Sequence, residues 1–82
     1  MKTKYKYIHF EKVEGCGWYC YNNKSESVLG RIEYYHKWKQ YVVEFEEGCV
    51  FNDTCLTDIV HFLHQLQKQE NISKDQMALF KK

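Results

Sequence analysis

Polar and apolar positions alternate with a period of two through the first ~50 residues, and then the period lengthens to that of a helix. The run KYKYIHFEKV places Tyr5, Tyr7 and His9 on one face and Lys4, Lys6 and Ile8 on the other, which predicts a first strand. EGCG reads as a turn and WYCYNN, rich in aromatics, as a second strand. NNKSES is a polar turn in which asparagine tolerates positive φ. SVLGRIEYYH alternates again, with Val28, Gly30, Ile32 and Tyr34 against Leu29, Arg31, Glu33 and Tyr35, and predicts a third strand. Gly30 within it marks a bulge or a place where a neighbouring ring packs over the backbone. KQYVVEFEE sets Tyr41, Val43 and Phe45 opposite Val42, Glu44 and Glu46, a fourth strand. EEGCVFN turns and adds at most a short fifth.

Beyond residue 52 the apolar positions Leu56, Ile59, Val60, Leu63 and Leu66 fall at helical spacing. Asn52, Asp53 or Thr54 can supply the N-cap oxygen, and Asp58 lies near the positive end of the dipole. Lys68 lies near the other end, and Asn71 suits a left-handed stop. The expected fold class is α+β: an antiparallel meander sheet of four to five strands, covered on one face by a single amphipathic C-terminal helix. Residues 1–71 form the domain, and residues 72–82 form a tail that is either disordered or docks Met77, Leu79 and Phe80 in one turn. One helix covers one sheet face, so the other face carries its aromatic residues toward solvent.

A chain of 82 residues makes one domain with a small core. Seven Tyr, five Phe and two Trp enlarge that core, because each ring buries much area. Twelve basic and eleven acidic side chains leave a net charge of +1, so there is no global positive field to gather nucleic acid. No apolar run approaches the ~20 residues that span a bilayer, and no membrane association is expected. The N-terminus starts like a charged signal region, but Lys4, Lys6, His9 and Glu11 interrupt any apolar stretch after it. The expected location is cytoplasmic, with the cysteines as thiols.

Cys16 and Cys20 stand at C-x3-C spacing, Cys49 and Cys55 at C-x5-C, and His61 and His64 follow. Zinc ligands usually pair at tighter spacings on a turn, so structural thiols are preferred over a metal set of Cys16, Cys20, Cys49 and Cys55. No cofactor is expected. Cysteine–histidine catalysis needs a thiolate beside an imidazole with a third orienting group. Cys55, His61 and His64 share one helix and cannot converge on one reacting atom. No nucleotide, hydrolase or metalloprotease motif occurs, and the expectation is a protein without enzymatic activity. The remaining carboxylate pairs read as edge charges that oppose aggregation.

The candidate binding residues are Tyr35, His36, Lys37, Trp38 and Lys39, at the tip between the third and fourth strands. Exposed rings there can stack on bases while lysines meet phosphates. The competing reading packs Trp38 and Tyr41 inward and leaves Tyr35, His36, Lys37 and Lys39 outside. Glu33, Glu44, Glu46 and Glu47 nearby would repel a phosphate backbone. A protein partner is therefore preferred and nucleic acid is the alternative. A homodimer formed through the sheet's face or edge is a further option.

Trp18 and Asn22, then Leu29, Gly30, Ile32, Tyr34 and Tyr35, then Trp38, Lys39, Tyr41 and Phe45, then Phe51, Cys55, Leu56, Asp58, Ile59 and Phe62 follow a shared layout. It runs W-x-V-x-N, LG-x-I-x-W-Y, W-[RK]-x-Y-x-F and F-x-x-x-CL-x-DI-x-x-F. In this layout the chain resembles a group of small uncharacterised phage and prophage proteins over residues 18–66. It departs by carrying Tyr34 where that layout often has Trp and Val43 where it has Phe, with extra residues at both ends. The resemblance implies a shared fold, a mobile-element origin and a cytoplasmic location in a bacterial host. It implies no activity, but makes an accessory role such as host takeover or anti-defence the expectation, with a host protein as partner.

Overall fold

The computed structural model describes the backbone of residues 1–15 and 17–80 and the side chains of residues 1–15 and 17–69. Strands β1 (Ile8–Val13), β2 (Gly17–Asn22), β3 (Val28–Tyr35) and β4 (Gln40–Phe45) precede helix α1 (Asp53–Phe80). The strands form one sheet in the order β1-β2-β3-β4, with every neighbouring pair antiparallel. The fold is the α+β meander that the change of period predicts. No fifth strand forms among the described residues; residues 46–52 connect β4 to the helix.

The first strand starts at Ile8 rather than at Lys4. Residues 3–5 instead fold back along its outer edge as a hook. Phe10 N donates to Thr3 O at 2.8 Å and Tyr5 N to Ile8 O at 2.9 Å. Asn23, in the turn between β2 and β3, ties the hook down: its side-chain nitrogen donates to Tyr5 O at 2.8 Å and Lys6 O at 3.2 Å. The adjacent Asn22 accepts from Lys24 N and Ser25 N, closing the turn by an Asx motif.

The register slips between Cys20 and Tyr21, where Cys20 faces Gly30 but Tyr21 faces Val28. Leu29 is the extra residue, so the bulge lies beside Gly30. A side chain at Gly30 would meet the Glu44 carbonyl at 3.0 Å, so backbone rather than a ring crowds this position. Tighter still is Gly17, at φ +90°, where an added Cβ would lie 2.2 Å from Ile32 O.

The core joins Ile8, Phe10, Cys20, Leu29 and Ile32 from the sheet to Cys55, Ile59, Phe62 and Leu66 from the helix. Residues 55, 59, 62 and 66 recur at helical spacing and define the inward stripe. It is rotated from the expected one. Leu56 and Val60 lie on its flank, 44% and 48% exposed, and Phe62 is fully buried. The Phe62 ring stacks on Phe10 with centroids 4.0 Å apart and meets Trp18 edge-on at 5.1 Å. Those two rings sit on adjacent strands, with Trp18 paired to Lys12 and Phe10 to Cys20.

Of the three candidate caps, Asn52 is the one used: its side-chain oxygen accepts from Cys55 N at 2.8 Å. The helix continues through Asn71 to Phe80, so Asn71 does not stop it and Lys68 lies mid-helix. The docking of Met77, Leu79 and Phe80, or its absence, lies outside the described side chains. The hook also packs on the helix. Gln65 bonds the backbone of Lys2 through both ends of its amide, each at 2.9 Å. The Tyr5 hydroxyl lies 2.8 Å from His61 Nδ1, and burial, then Asp58, pushes that phenol above its ordinary value.

Candidate binding face

Because successive side chains alternate across a sheet, the core residues on one face fix the composition of the other. With Ile8, Phe10, Cys20 and Ile32 under the helix, the open face receives His9, Tyr19, Tyr21, Arg31, Glu33, Tyr35, Val42 and Glu44. The cross-strand register sets them side by side: His9 opposite Tyr21, Tyr19 opposite Arg31, Arg31 opposite Glu44 and Glu33 opposite Val42.

One end of this face is an aromatic cluster. His9 and Tyr21 stack with centroids 5.3 Å apart and planes 17° off parallel, and Tyr19 meets Tyr21 edge-on at 6.2 Å. His9 Nδ1 lies 2.6 Å from the Asn23 side-chain oxygen. The Asn23 nitrogen is committed to two carbonyls, which turns that oxygen toward His9. Nδ1 therefore carries the proton, and Nε2 of the neutral ring remains an acceptor. In the middle of the face, Arg31 sits between two carboxylates, 3.4 Å from Glu33 and 3.4 Å from Glu44. Glu33 and then Glu44 push the guanidinium above its ordinary value, so this cation is already answered by anions.

The hairpin tip closes the other end. Tyr35 pairs with Gln40, leaving His36, Lys37, Trp38 and Lys39 as the loop, and Lys39 ends it in the left-handed region at φ 54°. Trp38 does not pack inward as the inward reading expects. It is 65% exposed and touches Tyr35 edge-on at 5.0 Å. Its ring joins Tyr35 of the open face and is not among the residues packed against the core. Tyr41 does pack against the core. His36 turns to the helix-side face and meets Tyr34 edge-on at 5.0 Å. The five tip candidates therefore split. Tyr35 and Trp38 extend the open face, His36 leaves it, and Lys37 and Lys39 are exposed at the tip.

The sequence reading missed His9, Tyr19, Tyr21 and Val42 as parts of one surface. Their signal was the alternation itself: once Cys20 is assigned inward, Tyr19 and Tyr21 must point outward.

Cys20 and Cys55 are buried in the core, and Cys49 packs against it. The three lie close enough for their thiolates to repel, although the spacing rules treat them as separate pairs. Burial, then Cys55 and Cys49, pushes the Cys20 thiol from 9.0 up to about 12. Among the described residues no group of three or more His, Cys, Asp or Glu is disposed to hold a metal ion. Cys16, the fourth member of the expected alternative set, lies outside the described residues.

A raised thiol pKa works against the folded state wherever the unfolded thiol has ionised and the folded one has not. Here the unfolded chain, titrating near 9.0, loses its proton first, so alkali pulls toward unfolding. The contribution of Cys20 is thus fully present below pH 9 and lost as pH rises toward about 12. In folded protein at mildly alkaline pH, iodoacetamide should leave Cys20 unmodified while denaturant exposes it, as peptide mass mapping would read. Rapid modification of Cys20 in the folded protein would contradict the buried, protonated assignment.

Among the described residues no helix is long and apolar enough to cross a membrane. Compared with protein-family models, curated proteins and solved structures, the chain matches none.

Proposed function

We propose that the protein is a non-catalytic binding module that holds a partner protein against its open sheet face and hairpin tip. The observation that carries this reading is the set of rings left on the face opposite the helix: His9, Tyr19 and Tyr21 at one end, Tyr35 and Trp38 at the other. Tyrosine and tryptophan are the residues that anchor protein interfaces, because a ring buries large area at small entropic cost. The central Arg31 is compensated by Glu33 and Glu44, which leaves little positive potential for a phosphate backbone. The thiol chemistry also favours binding over catalysis, since Cys20 is a protonated core residue and His61 bonds to Tyr5 rather than to a cysteine. The partner as a host protein, and the protein as a phage-type accessory in host takeover or anti-defence, rest on the residue layout over residues 18–66.

Tyr19→Ala and Trp38→Ala should separate binding from folding. Each truncates a ring outside the helix-covered core, so thermal unfolding should shift little. Captured from a bacterial host lysate, a partner protein held by the wild type should bind each variant about 2 kcal/mol more weakly, roughly thirtyfold. Recovery of nucleic acid in place of protein, with binding that falls steeply with salt and is lost on Lys37→Ala and Lys39→Ala, would establish the other reading.

A further inference from the structure

The N-terminal segment and the β2–β3 turn enclose a cleft at the end of the sheet where β1 begins and β2 ends. Asn23 N donates to Tyr7 O at 2.9 Å, and the Asn23 side chain holds the carbonyls of Tyr5 and Lys6. Asn22 closes the turn by accepting from Lys24 N and Ser25 N. These bonds fix the walls of a space of about 330 Å³, lined by Lys6, Tyr7, Asn22, Asn23 and Lys24. That size lies at the small-ligand end of binding pockets.

The charge around this cleft is one-sided. Residues 1–10 carry Lys2, Lys4 and Lys6 and no acid. Among the described residues the ion pairs are those of Arg31 with Glu33 and Glu44, so neither Lys6 nor Lys24 is answered by a carboxylate. Glu11 and Glu26 line a separate cleft with His9, which shares Asn23 as its wall. The remaining polar groups are suited to donate. The Asn22 oxygen is used twice within the turn, while its amide nitrogen and the Tyr7 hydroxyl have no partner among the described residues. Tyr7 adds an aromatic wall. Its ring is 42% exposed, lies outside the core and meets only the Lys6 ammonium, 5.3 Å from its centroid. Lys6 covers one face of the ring and the other is open.

From this set of groups we propose that the cleft binds a mononucleotide, its phosphate between Lys6 and Lys24 and its base on the open face of Tyr7. Two ammonium groups match the dianion of a phosphate monoester, whose oxygens take several donors at once. A carboxylate is better matched by the fork of an arginine, and the sole arginine of the chain, Arg31, lies on the open face with both its neighbours anionic. The ring selects a phosphate that carries a planar group, because any base can stack on tyrosine. The cleft is separate from the open face, so the inference holds whether or not that face binds a partner protein.

Calorimetric titration of the full chain with adenosine monophosphate tests this, with adenosine and inorganic phosphate as comparators. The expected result is saturable binding with a Kd on the order of 0.1 mM, roughly tenfold or more tighter than either fragment. Lys6→Gln and Lys24→Gln should each weaken the nucleotide roughly tenfold. Tyr7→Ala should weaken it by about the same factor and leave the weaker affinity for inorganic phosphate unchanged. All three side chains are exposed, so unchanged thermal unfolding of the variants should accompany these losses. No saturation by roughly 10 mM nucleotide would overturn the inference. So would inorganic phosphate that binds as tightly as the nucleotide, or nucleotide binding that the lysine substitutions or Tyr7→Ala leave unaltered.

Discussion

Gly17→Ala should cost roughly 3 kcal/mol or more, a large share of the stability of a domain this size. Two effects combine at this position. Its φ of +90° is a conformation that L side chains rarely adopt. Its missing Cβ would also lie 2.2 Å from Ile32 O and 3.3 Å from Ile32 C, both backbone atoms of the neighbouring central strand. A flexible side chain could move aside, but a strand bonded on both edges cannot do so without breaking its ladder. Gly15 and Gly48 supply the controls. Both have positive φ, 78° and 81°, but an added Cβ meets nothing within 4 Å at either site. Gly15→Ala and Gly48→Ala should therefore cost only the conformational term, about 1 kcal/mol each. Urea unfolding of the three variants would measure the difference. If Gly17→Ala unfolds at the same midpoint as Gly15→Ala, the close approach to β3 does not constrain the fold.

The ordering of those glycines illustrates what pattern reading reaches. EGCG was legible as a turn because paired glycines between two alternating runs leave few other options. Which glycine touches β3 was not, because that depends on Trp18 pairing with Ile32, a contact between strands distant in sequence. The meander was legible for the same local reason, since short polar turns force neighbours to pair in order. The N-terminal hook was not. KYKY has the alternation of a strand, but Asn23 draws residues 5 and 6 out of line, and nothing in the local pattern announces that clamp.

The binding face was half legible. Tyr35 and the lysines could be placed at a tip from turn spacing alone. Assigning Trp38 required knowing which face of the sheet its ring joins, and hydrophobicity argued the wrong way: a large ring in the middle of an aromatic run reads as core. The tertiary arrangement leaves it 65% exposed instead. The same limit applies to the helix. Leu56, Val60 and Leu63 satisfy helical spacing as well as Cys55, Ile59 and Phe62 do. Only the position of the β1–β2 rings beneath the helix decides between the two stripes.

That decision makes Phe62 the position of the second large effect. Phe62→Ala should cost roughly 3–5 kcal/mol, from lost transfer energy and from the cavity left behind. The side chain is 0% exposed and bridges helix to sheet through Phe10 and Trp18 at once. Relaxation into the space is restricted, because both of its ring partners are anchored on strands whose registers are set elsewhere in the sheet. Val60→Ala removes a similarly apolar group from the same helix, two residues away, but from a site 48% exposed. It should cost less than about 1 kcal/mol, since little of that surface leaves water on folding. The comparison tests the orientation of the helix rather than its existence, because both substitutions favour helix formation to the same small degree. Thermal unfolding followed by far-UV circular dichroism gives the two costs. Near-UV dichroism should also lose much of its tryptophan signal in Phe62→Ala, because Trp18 loses the ring it abuts. Equal destabilisation by the two variants would mean that the helix presents Val60 inward as much as Phe62, and the stacked arrangement over β1 and β2 would be wrong.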